Sequence, residues 1–76
     1  KDAFVQNANI ISTGDYLYIL DVHNIRNITV YNLSGQVLKN INSSVNEVPV
    51  SDLKPGSYIV KITASSGIFR GKFIKQ

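Results

Sequence analysis

The chain has 76 residues, 43% of them hydrophobic and 17% charged, and a formal net charge of +3. That length accommodates one domain, residues 1–76, and excludes a second. The composition excludes a disordered tail, and the lack of Cys excludes disulfides and thiolate-held zinc.

Lys1-Asp2-Ala3 opens the chain with neither an initiating Met nor a charged region leading into a long hydrophobic stretch. The segment therefore reads as part of a longer chain, with no signal peptide in it. No apolar run approaches the roughly 20 residues of a membrane-spanning helix, so membrane insertion is not expected. Period-two alternation dominates from the start, and no window carries apolar residues at helical spacing. Two short strands are expected near 3–7 and 10–12, one of them a candidate for irregular structure. Ser12-Thr13-Gly14-Asp15 is a turn, and Tyr16-Leu17-Tyr18-Ile19-Leu20 then alternates an aromatic with an aliphatic face within a strand spanning 16–22.

His23-Asn24 breaks the chain before the strand 26–33, where Ile28 and Val30 share a face. Gly35 supplies the positive φ of a hairpin leading to 36–42. Asn42-Ser43-Ser44 is a polar loop. Pro49 has no N–H to donate, which confines 46–50 to a sheet edge or an extended connection. Lys54-Pro55-Gly56 is predicted to turn, with Pro fixing φ and Gly taking the left-handed third position. Tyr58, Val60, Ile62 and Ala64 point inward on the strand 57–64, while Lys61 and Thr63 point to water. Ser65-Ser66-Gly67 closes a hairpin to the strand 68–75, with Phe69 and Phe73 on its core face. Turn signals every 8–12 residues or so fit about seven strands, with 68–75 as an eighth, in two sheets that cover each other.

Catalytic chemistry has few candidates. His23 is the sole imidazole and sits in a polar turn, so no nucleophile–base pair is expected. Asp15 and Asp21 are wrongly spaced for a shared metal loop. The glycines are isolated, which rules out a phosphate-binding loop. No catalytic residue, metal or cofactor is expected. Arg70-Gly71-Lys72-Phe73 interleaves basic and aromatic residues, yet the helices of an RNA-binding module are missing, so nucleic acid is not an expected partner. The triplets at Asn27, Asn32 and Asn42 match the N-glycosylation pattern and are explained by composition.

Three segments carry something more specific: Val30-Tyr31-Asn32-Leu33-Ser34-Gly35-Gln36-Val37-Leu38, then Val50-Ser51-Asp52-Leu53-Lys54-Pro55-Gly56-Ser57-Tyr58-Ile59-Val60-Lys61-Ile62, then Gly71-Lys72-Phe73-Ile74-Lys75-Gln76. Their order and spacing resemble the C-terminal sorting domain of type IX secretion system cargo proteins, over about residues 16–76. Phe4-Val5-Gln6-Asn7-Ala8-Asn9 stands where many members of that family carry Pro-Asn-Pro. The resemblance implies an all-β, two-sheet antiparallel sandwich with immunoglobulin-like Greek-key topology. It also implies a sorting signal, not an enzyme. Such a domain is carried behind an N-terminally fused cargo through the periplasm and delivered to the cell surface or medium. The implied partners are the translocon, an outer-membrane shuttle protein and a sortase-like cysteine peptidase that removes the domain. Gly35, Leu53, Pro55, Gly56, Tyr58, Lys72 and Lys75 are the implied recognition residues, with both lysines expected to be exposed on the last strand.

The same residues also have a plain structural explanation. Leu53 fills the space under a connection, Pro55-Gly56 reverses the chain, and Tyr58 enters the core. The rival expectation is an immunoglobulin- or fibronectin-like spacer or adhesion module of a surface protein. Carbohydrate binding is a variant of it, resting on an exposed Tyr16 or Tyr18 against the alternative that both pack inward. A nucleic-acid-binding β-barrel comes third.

Overall fold

The clearest alternation in the sequence builds the middle of the fold. The computed structural model describes residues 5–76. It places Gly56–Ala64 in one nine-residue strand, with Tyr58, Val60, Ile62 and Ala64 buried and the residues between them turned outward. In chain order the strands are β1 (Val5–Asn7), β2 (Asn9–Ser12), β3 (Tyr16–Leu20), β4 (Ile25–Asn32), β5 (Val37–Ile41), β6 (Glu47–Pro49), β7 (Gly56–Ala64) and β8 (Gly67–Lys75). They form a five-stranded sheet in the order β1-β8-β7-β4-β5 and a three-stranded sheet in the order β2-β3-β6. The described residues contain no helix.

Eight strands form, so both short early strands are regular and β8 is a full strand. Residues 3 and 4 of the expected first strand lie outside the described residues. The connections β3–β4 and β6–β7 each cross between sheets, setting β6 beside β3 in one layer and β7 beside β4 in the other. This interlocking is the immunoglobulin-like Greek key. All pairings are antiparallel except β1 with β8, which run parallel through Val5↔Ile68 and Asn7↔Arg70. No hairpin joins β1 to β8, so no turn dictates their relative direction.

The core lies between the layers. Leu17 and Val48 from the small sheet, with Val50 just beyond it, meet Ile28, Val30, Val60 and Ile62 from the large one, all essentially without exposure. Each such side chain contributes about 1.5–3 kcal/mol by leaving water. Tyr16 and Tyr18 turn outward on β3, with ring centroids 5.9 Å apart, because Leu17 and Ile19 occupy its inner face. β3 ends at Leu20 instead of residue 22, since Asp21 and Asn24 adopt left-handed backbone (φ 59° and 57°). Short polar side chains tolerate that region. Pro49 sits on an edge strand, where its missing N–H costs no ladder bond.

Candidate functional site

The connection from β6 to β7 is built around Tyr58. Its hydroxyl donates to the Lys54 carbonyl four residues upstream. Its ring, 8% exposed, stacks on Phe73 across the β7–β8 ladder with centroids 5.6 Å apart. A tyrosine near the start of this strand, bonded back to the backbone before it, is the tyrosine corner of immunoglobulin-like sandwiches. Leu53 is half-buried against the core beneath the connection. The chain reversal itself sits earlier than the sequence predicted. The Leu53 amide donates to the Val50 carbonyl at 3.0 Å, with Ser51 and Asp52 at the centre of the turn, while the Val50 amide is tied to the Asp15 carbonyl at 2.8 Å. Gly56, at φ +152°, is far from the roughly +80° of a type II turn. It opens β7 by pairing with Lys75. Pro55-Gly56 is thus a strand entrance, not a turn.

β8 reaches this corner from the opposite direction, through Ile59↔Lys72, Tyr58↔Phe73, Ser57↔Ile74 and Gly56↔Lys75. Lys72 is exposed as expected. Lys75 is not: it is only 8% exposed, because residues 71, 73 and 75 share the inward face of β8. Its ammonium donates to the Gln76 carbonyl at 3.4 Å. Ile74 takes the outward position at 62% exposure. The β4–β5 hairpin closes at the same pole, since Asn32 pairs with Tyr58. Gly35 there has φ +89°, and the Asn32 carboxamide oxygen accepts from the Ser34 and Gln36 amides at 3.0 and 2.9 Å. Three segments separated in sequence therefore converge on one end of the sandwich: the β4–β5 hairpin, the tyrosine corner and the end of β8.

A family model described as the secretion system C-terminal sorting domain matches residues 6–76, the same pole included. The chain belongs to that family. It is a sorting signal of type IX secretion, and the family's members are signals, not catalysts. No curated protein matches the chain.

The sorting domain also carries an electrostatic clasp at this pole that the sequence reading missed. Lys39 Nζ lies 2.9 and 3.0 Å from the two carboxylate oxygens of Asp52. The hydrogen bond from Lys39 is the main cause holding the Asp52 carboxyl below its usual range, followed by a bond from its own backbone amide, with smaller help from the charges of Lys39 and Lys75. Lys39 and Asp52 are 13 residues apart with no motif joining them. A search for paired charges at strand or turn spacing would not have found them. The glycosylation-like triplets acquire structural roles. The Asn27 amide nitrogen donates to Asn40 and Asn42 side-chain oxygens at 2.6 and 2.7 Å, and Thr29 Oγ1 donates to Asn27 at 2.8 Å. His23 is exposed in the β3–β4 connection, away from the pole. Phe73 is buried and Phe69 half-buried against the core.

Proposed function

We propose that the pole carrying Gly35, Leu53, Pro55, Gly56, Tyr58 and Lys72 is the part of the sorting domain that the export machinery reads, with the end of β8 as its centre. The observation that carries this is the convergence of the three family-like segments on one end of a rigid sandwich. A folded surface of this kind stays constant while the cargo attached to it varies, which a short flexible peptide would not. The cargo reaches the periplasm separately; the domain then engages an outer-membrane shuttle protein and the translocon. A sortase-like cysteine peptidase removes it at the cell surface. Lys75, being buried, acts by holding the end of β8 in register beside Gly56, and Lys72 and Ile74 supply the exposed contacts. Among the described residues the ladder of β1 with β8 stops at Arg70 and Ser12 Oγ donates to the Ile74 carbonyl at 3.3 Å, so the backbone around Lys72 is the part of this edge that can add to a partner's sheet.

The test is surface delivery of a reporter carried ahead of the domain in a host with the secretion system. Deletion of Phe73–Gln76 and the double change Lys72→Glu/Ile74→Glu are both expected to reduce delivery. Undiminished delivery with the folded double variant would refute a reading role for β8.

A second reading, adhesion through a sugar, draws support from the outward Tyr16–Tyr18 pair and the neighbouring exposed Ile11. Binding of glycans that survives Tyr16→Ala/Tyr18→Ala would exclude that platform.

A further inference from the structure

On the outer face of the five-stranded sheet, Lys61 of β7 stands directly opposite Arg70 of β8, and Lys72 follows two residues along the same strand. Like charges directly across a ladder oppose folding, so this placement needs a reason other than stability. None of the five strands of this sheet contains an Asp or Glu, whereas they hold six of the chain's eight Lys and Arg. The described carboxylates, Asp15, Asp21, Glu47 and Asp52, all belong to the other sheet or to connections. Among the described residues the single ion pair is Lys39 with Asp52.

The three cations surround an apolar centre. Ile59 lies on the middle strand of the sheet, facing outward between Tyr31 on β4 and Lys72 on β8. Two shallow depressions meet there. One, of about 330 Å³, is lined by Tyr31, Leu33, Ile59, Lys61 and Arg70; the other, of about 250 Å³, by Asn7, Ile59, Arg70 and Lys72. An aromatic and aliphatic centre with arginine and a charged rim is the anatomy of a protein interface. A polyanion such as nucleic acid is instead held by a longer run of cations.

We propose that the outer face of the five-stranded sheet, centred on Ile59 and ringed by Lys61, Arg70 and Lys72, docks an acidic surface of a protein of the export machinery. The proposal rests on the sorting role and adds to it a second face, adjoining the pole. Lys72 belongs to both.

The test uses the full exported protein. Lys61→Glu/Arg70→Glu/Lys72→Glu is expected to reduce surface delivery at least tenfold, with Ser44→Glu, which adds a negative charge in the exposed β5–β6 connection away from the face and the pole, as the charge control. Should the triple change compromise folding, Lys61→Gln/Arg70→Gln removes the charge without reversing it and is expected to reduce delivery severalfold. A photoreactive p-benzoylphenylalanine at Ile59 is expected to cross-link in cells to a protein at a peptide rich in Asp or Glu, and charge reversal is expected to abolish that adduct. An adduct with glycan, lipid or nucleic acid, or one that persists after charge reversal, would overturn the proposal. Delivery lost on deleting residues 5–76 but intact in the folded charge-reversed protein would overturn this face alone. Delivery that survives the deletion would overturn the sorting role and the docking face together.

Discussion

Tyr58 on β7 lies directly opposite Phe73 on β8, with the rings stacked at an interplanar angle of 28°. The same phenol ties its hydroxyl to the Lys54 carbonyl, so one side chain joins the corner to the last strand. Tyr58→Phe keeps the stack and loses the bond, and is expected to cost about 0.5–1.5 kcal/mol. In a domain this small, each 1 kcal/mol lowers the melting temperature by about 4–8 °C. Tyr58→Ala also removes the ring and is expected to cost about 3–5 kcal/mol, much of a typical domain's stability. Lys54→Ala keeps the carbonyl acceptor and should change stability by less than about 0.5 kcal/mol. Thermal unfolding of the three variants checks the ordering. Equal losses in Lys54→Ala and Tyr58→Phe would show that the bond is not what the corner depends on.

Gly71 marks where the early strands cross over β8. A Cβ built there would lie 2.9 Å from Ile10 Cδ1 and 3.3 Å from the Ala8 Cβ. Gly71→Ala is expected to destabilise by about 1–3 kcal/mol through overpacking. Ile10→Val removes the closest atom, so it should recover a good part of that loss in the double variant. Strict additivity of the two changes in denaturant unfolding would mean that Ile10 is not the obstacle.

The strands were legible because their residues obey a period of two and their turns carry Gly, Asn or Ser. β7 and its hairpin to β8 follow the alternation of Tyr58, Val60, Ile62 and Ala64 without exception. The same parity places Lys75 on the inward face with Phe73. A lysine at a strand end was expected in water because of its charge, and the register overrode that expectation. The turn before β7 was misplaced because two turn signals compete within six residues. Ser51-Asp52 takes the hydrogen-bonded reversal, leaving Pro55-Gly56 to start the strand. The parallel pairing of β1 and the Lys39–Asp52 pair were not legible. Both are long-range contacts that leave no local pattern. The pole was legible only as three separate motifs, and their meeting is a property of the Greek key.

The Lys39–Asp52 contact makes a pH prediction with a definite sign. The Asp52 carboxyl is held below its usual 3.8, so the folded state binds its proton less readily than the unfolded chain. Its stabilising contribution is present above that value and fades as the pH falls through the lower folded value. Asp52→Asn should therefore be less stable than the parent at neutral pH, with the gap closing on acidification below about 3.8. The pair is largely exposed on the Asp52 side, at 69%, so about 1 M salt should shrink the gap. A gap that persists unchanged at low pH would assign the loss to something other than the carboxylate charge.

Lys61 and Arg70 supply a last prediction that does not depend on any partner. As directly opposed cations on β7 and β8, they should repel by an amount in the range of about 0.2–1 kcal/mol for cross-strand pairs. Lys61→Glu and Arg70→Glu each turn the repulsion into attraction, so each single variant should melt higher than the parent. The double variant places two carboxylates opposite one another and should fall back toward the parent. That non-additive pattern separates a local pair from a simple drop in the +3 net charge, under which the two changes would add. Melting curves of the four proteins at low ionic strength decide it. A double variant more stable than either single one would mean that the two side chains do not sense each other across the ladder.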